Sequence, residues 1–123
     1  MIDKAAAPPV RARTLQLLEL GRLTMSSERE GDVHTIGLTG ELDLDNVAAV
    51  QHELDRAENG DALSIVVDLS RLTFIDSTGV RLVLAAHARA GADGGRLLLL
   101  RGPAQVQRVF EICGVDQLLP FAD

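Results

Sequence analysis

The sequence predicts an α/β domain: a mixed sheet of four to five strands covered by helices. Three observations predict it. Two short apolar runs, 63–69 (LSIVVDL) and 96–101 (RLLLLR), read as strands buried on both faces. Three segments that follow strands carry helix signals, the first with apolar residues at three- and four-residue steps. Two further strand-like runs at the start, 23–29 and 33–38, flank Glu30-Gly31-Asp32, which has the composition of a hairpin turn. Strands alternating with helices pair in parallel through right-handed crossovers, and the hairpin makes the sheet mixed. The expected order is β-β-α-β-α-β-α.

Taken in order, residues 1–14 are rich in Ala and Pro and read as a mobile arm, stiffened locally by Pro8-Pro9. In 14–20 (TLQLLEL), Leu15 and Leu18 fit a helical face, while Leu18 and Leu20 fit a strand face. The reading taken is a short helical extension lying over an exposed edge of the core, so that residues 1–22 form an arm and 23–123 the domain. After the hairpin, Thr39-Gly40-Glu41-Leu42-Asp43 is expected to leave the sheet. Asp45 or Asn46 then caps a helix over 47–58, whose stripe is Val47, Val50, Leu54 and Ala57. Asn59-Gly60 ends it. Phe74-Ile75 leads into Asp76-Ser77-Thr78-Gly79 and a helix over about 78–90, which residues 91–95 break. Pro103 opens a third helix, 104–113, at a position where its missing N–H costs nothing. Residues 118–121 offer a short final strand.

Composition excludes several functions. The 123 residues suit one domain with one core. A net charge of −6 opposes binding to a phosphate backbone, so no nucleic-acid partner is expected. Of the twelve basic residues only Lys4 is a lysine, so a polylysine patch for anionic lipid is absent. No apolar run approaches the roughly 20 residues of a membrane span. The first residues lack the apolar stretch of a secretory signal, which leaves the cytoplasm as the expected location. Aromatic faces for stacking bases or sugars are scarce, with only Phe74, Phe110 and Phe121 present.

Catalytic constellations are equally scarce. His34, His52 and His87 fall in three different elements, and no pair has metal-site spacing. Cys113 is the one cysteine and reads as a small apolar packing residue. No nucleotide loop, nucleophile elbow or paired-carboxylate signal is present. Neither a metal nor a cofactor is expected, and the chain reads as a binding module, not an enzyme.

One segment is informative, 73–80 (TFIDSTGV). Read locally, Asp76 or Ser77 is a helix cap. Gly79, however, lies in the first helical turn, where it costs about 1 kcal/mol relative to Ala. Its missing side chain would let another backbone approach Ser77.

Gly40-Glu41-Leu42-Asp43, then Val67-Asp68-Leu69, then Phe74-Ile75-Asp76-Ser77-Thr78-Gly79, and finally Gly94-Gly95 and 106–114 (VQRVFEICG) form an ordered set. It resembles the STAS family, and within it the bacterial anti-sigma factor antagonists, over about 23–121. The resemblance implies a protein that binds an anti-sigma factor which is also a GHKL-type serine kinase, and so frees the sigma factor. Phosphorylation by that kinase ends the binding, and a PP2C-type phosphatase resets it. Carried onto this sequence, the phosphoacceptor is Ser77, with Thr78 as a secondary candidate. The docking residues are Asp43, Asp76, Ser77, Thr78, Gly79 and Val80. Thr78 and Val80 depart from the family's frequent serine and leucine. The resemblance also admits an alternative: an accessory or scaffold subunit of a transporter or stress-signalling complex. The expected state is a monomer or weak dimer.

Overall fold

A computed structural model describes residues 13–122. In chain order the elements are β1 (Arg13–Leu20), β2 (Leu23–Glu30), β3 (Val33–Leu42), α1 (Val47–Glu58), β4 (Ser64–Ile75), α2 (Ser77–Asp93), β5 (Arg96–Leu100), α3 (Ala104–Ile112) and β6 (Phe121–Ala122). The strands form one six-stranded sheet in sequential order. β1, β2 and β3 are antiparallel neighbours, and β3 to β6 run parallel. The mixed α/β architecture is the expected one, with six strands in place of four to five.

The extra strand at the start is β1. Residues 14–20, expected as a helix, pair with β2 along their whole length, from Arg13 opposite Glu30 to Leu20 opposite Leu23. Pairing decides the outcome. An isolated helix of this length is marginal in water, whereas the same residues gain a full ladder against a preformed hairpin. The reading of residues 1–14 as an arm falls largely outside the described residues.

Core residues alternate along the strands: Leu23 and Met25 in β2, Ile36 and Leu38 in β3, Val67 and Leu69 in β4, Leu97 and Leu99 in β5. The helices lie against this face. Ser27 of β2 bonds α1, Leu42 and Ile75 abut α2, and the Phe121 ring packs edge-on against Phe110 of α3. The strands at 63–69 and 96–101 are therefore buried on one face, not two. Leu98 stays 38% exposed on the other. Cys113, expected to pack, is exposed at the end of α3.

Two departures shape the carboxyl end of the sheet. β3 does not leave at Thr39 but continues to Leu42, with register shifts against β4 at Gly37/Thr39 and Gly40/Glu41. Gly40 has φ +107, and a Cβ there would lie 2.2 Å from the Arg22 carbonyl oxygen. Only glycine fits this bulge. The bulge carries β3 onward beside a twelve-residue β4, whose last pair is Leu42 with Ile75. α2 also runs further than expected, through Gly91 to Asp93.

Candidate functional site

The parallel strands β3 and β4 end side by side, and the segments that follow them are tied together. The Asp76 N–H donates to the Leu42 carbonyl at 3.2 Å. Asp76 is the N-cap of α2, in extended conformation, and its Oδ1 accepts the N–H groups of Thr78 at 3.0 Å and Gly79 at 3.2 Å. The Thr78 hydroxyl donates to the same oxygen, and the Leu44 N–H also bonds the carboxylate. Burial raises the Asp76 pKa, but these hydrogen bonds from Thr78, Gly79 and Leu44 together outweigh it and hold it below the usual carboxylate value. Asp76 thus caps α2 and pins the β3–α1 loop to it.

That loop carries Asp43, one residue beyond β3. Its Oδ1 accepts the Asp45 N–H at 3.0 Å. Asn46, 4% exposed, sits at the N-cap position of α1 without capping it. It clamps the loop instead: its Oδ1 accepts the Asp43 N–H and its Nδ2 donates to the Glu41 carbonyl. The structure therefore brings Asp43, Asp76, Ser77 and Thr78 to one end of the sheet.

The two hydroxyls there differ. Ser77 is exposed, and among the described residues its hydroxyl has no hydrogen-bond partner. Thr78 is half-buried, with its hydroxyl committed to Asp76. The last two expected docking residues lie beneath the surface. Val80 is 2% exposed and belongs to the core, because position 80 faces the sheet one turn into α2. Gly79 is buried as well. An added Cβ would meet Ile75 Cγ1 at 2.7 Å and Leu42 Cδ2 at 3.0 Å, so this glycine lets α2 settle on the sheet and does not admit a visiting backbone.

Sequence reasoning passed over two exposed apolar side chains near this end. Leu44 is 70% exposed in the β3–α1 loop, and Phe74 is 47% exposed three residues before Ser77. Phe74 had a signal: in a strand, neighbours of a core residue such as Ile75 point to the other face.

A second polar cluster lies away from this end, beside a groove of about 230 Å³. Ser27, 5% exposed, donates to Glu53 Oε2 at 2.6 Å and lies 2.7 Å from His34 Nε2. Glu53 is also held by Arg56 at 3.0 Å. The arrangement is not that of an activated nucleophile. The serine proton goes to the carboxylate, which leaves Nε2 of His34 as donor to Ser27 and not as its base. Among the described residues no group of three or more His, Cys, Asp or Glu could hold a metal ion. No helix there is long and apolar enough to cross a membrane.

A mixed sheet with one helix-covered face, whose parallel strands end at a capped helix that exposes Ser77, defines the class as an α/β domain, and similarity to known proteins supplies the family. The family model described as "Mlab, STAS domain" matches residues 25–120. An anti-sigma F factor antagonist of Lysinibacillus sphaericus is 35% identical over 81 residues, covering 65% of this chain and 69% of that protein. The solved structure of the anti-sigma factor antagonist SpoIIAA in its unphosphorylated form aligns with TM-score 0.64 and 30% identity, over 89% of each chain. The phosphorylated form of SpoIIAA, a Bacillus cell fate determinant, aligns with TM-score 0.59 and 29% identity over 89% of this chain and 92% of that one. The chain belongs to the STAS-domain family, and its similarity runs to the anti-sigma factor antagonists within it. Curated relatives from Paenibacillus polymyxa and Lysinibacillus sphaericus are both named anti-sigma F factor antagonists, a regulatory and non-enzymatic role.

Proposed function

We propose that this protein binds an anti-sigma factor with serine kinase activity through the Asp43–Ser77 end of the sheet, frees the sigma factor, and is switched off by phosphorylation of Ser77. The observation that carries the proposal is the exposed Ser77 hydroxyl at the start of α2, without a partner among the described residues, beside a Thr78 whose hydroxyl is already engaged. The relatives' names and the two forms of SpoIIAA support it.

The chemistry divides between two proteins. This chain offers an alcohol as nucleophile toward a γ-phosphate. The nucleotide cradle, metal and base are the kinase's, a GHKL-type enzyme in this reading. A phosphate on Ser77 adds about −1.5 to −2 charges. The amino end of α2 tolerates it, an effect of roughly 0.3–1 kcal/mol at an exposed site, so the fold survives. A partner fitted to a neutral hydroxyl meets added bulk and charge beside Asp43 and Asp76. A loss of about 4 kcal/mol weakens a complex roughly a thousandfold. A PP2C-type phosphatase would restore the hydroxyl, and the cytoplasm is where such partners meet.

Titration of the cognate kinase by calorimetry tests the proposal. Ser77→Ala should bind like the native chain, and Ser77→Asp should bind at least a hundredfold more weakly. Equal binding by Ser77→Asp overturns it, and co-purification with a transporter in place of a kinase turns the reading toward the accessory-subunit alternative.

A further inference from the structure

Among the described residues β1 is an edge strand of eight residues, paired on one side only. Free edges present a row of backbone donors and acceptors, and proteins usually protect them with charge, proline, bulges or brevity. The opposite edge is so protected: β6 has two residues and follows Pro120. β1 is not. From Thr14 to Leu18 it has no charge and no proline, and it exposes Leu15 (53%), Leu17 (65%) and Leu18 (42%).

We infer that this edge pairs with β1 of a second copy, antiparallel about a twofold axis at Gln16, joining two sheets into one of twelve strands. The strand's own sequence fits this occupant. In that register Leu15 falls opposite Leu17 on the open face, Thr14 opposite Leu18 on the helix face, and Gln16 opposite itself. Of the two charged residues in the strand, Glu19 falls opposite Arg13. Two chains of net charge −6 therefore meet without like charges in the paired segment. Three leucines a side fall short of the roughly 800 Å² per partner of a standard interface, so the pair is weak, dissociating at about micromolar or higher concentration. It leaves Ser77 free, because that residue opens α2, beyond the end of β4, and does not lie on β1.

Sedimentation velocity of the full chain, from micromolar to millimolar concentration, should show a reversible dimer. Leu17→Lys, at an exposed position, should weaken it at least tenfold while the circular dichroism spectrum is kept. A cross-linking pair reads the register directly. In a Cys113→Ser background, Gln16→Cys should oxidise readily to a covalent dimer, since opposed residues lie about 4.5–5.5 Å apart. Glu19→Cys should not, since its two copies would sit about 20 Å apart. A monomer at millimolar concentration, or equal cross-linking at both positions, overturns the inference.

Discussion

Gly79→Ala and Gly91→Ala place the same methyl group in the same helix and should move stability in opposite directions. At Gly79 the new Cβ would lie 2.7 Å from Ile75 Cγ1, 3.0 Å from Leu42 Cδ2 and 3.1 Å from Ile75 Cδ1. Leu42 and Ile75 are 0% and 2% exposed, so neither can swing into solvent. Overpacking of this kind costs about 1–3 kcal/mol, and the gain in helix propensity returns about 1 kcal/mol. The net effect is a loss of about 1 kcal/mol and a lift of α2 away from the sheet. At Gly91 nothing lies within 4 Å, so only the propensity gain of about 1 kcal/mol remains. Guanidinium unfolding at constant m-value should separate the two variants by about 2 kcal/mol, with the native chain between them. A Gly79→Ala variant as stable as the native chain would refute the packing role assigned to this glycine.

Three other outcomes follow from the polar contacts. Ser27→Ala leaves the Glu53 side chain, 4% exposed, with one donor fewer, and should cost about 1–3 kcal/mol in the same assay. Burial depresses the His34 pKa more than Glu53 raises it, and Arg29 and Arg56 depress it further. The folded state then disfavours the proton, so stability is full above about pH 6.5 and falls as the pH drops through the folded pKa. His34→Gln should flatten that decline between pH 8 and pH 5. At Asp76, hydrogen bonds outweigh burial and hold the pKa below its usual value, so the cap's contribution is present above about pH 4 and lost on further acidification. Asp76→Asn should be destabilised at neutral pH, and its deficit against the native chain should shrink below that point.

The fold was legible where one local signal had no competitor. The stripe at Val47, Val50, Leu54 and Ala57, closed by Asn59-Gly60, defines α1 over the residues it occupies. Residues 14–20 were ambiguous because leucines at 15, 17, 18 and 20 satisfy both periods, and a neighbouring strand settled the choice. The four leucines of β5 hid an alternation that only the position of the helices makes visible. At the site, the motif pointed to Asp76, Ser77 and Asp43, and the fold brings them to one end of the sheet. It could not say which hydroxyl is free, since that depends on where the Thr78 side chain turns. Nor could it reveal that Gly79 serves internal packing, because Leu42 lies 37 positions away in the chain. The Ser27–His34–Glu53 network joins residues 7 and 26 positions apart across two strands and a helix, and no local pattern announces it.

Phosphate localisation by fragment mass spectrometry, after incubation with the cognate kinase and ATP, tests the assignment of Ser77 most directly. A single phosphate should appear on Ser77, disappear in Ser77→Ala and persist in Thr78→Val. A phosphate that remains on the Ser77→Ala chain, or that moves only when Thr78 is replaced, would contradict the account.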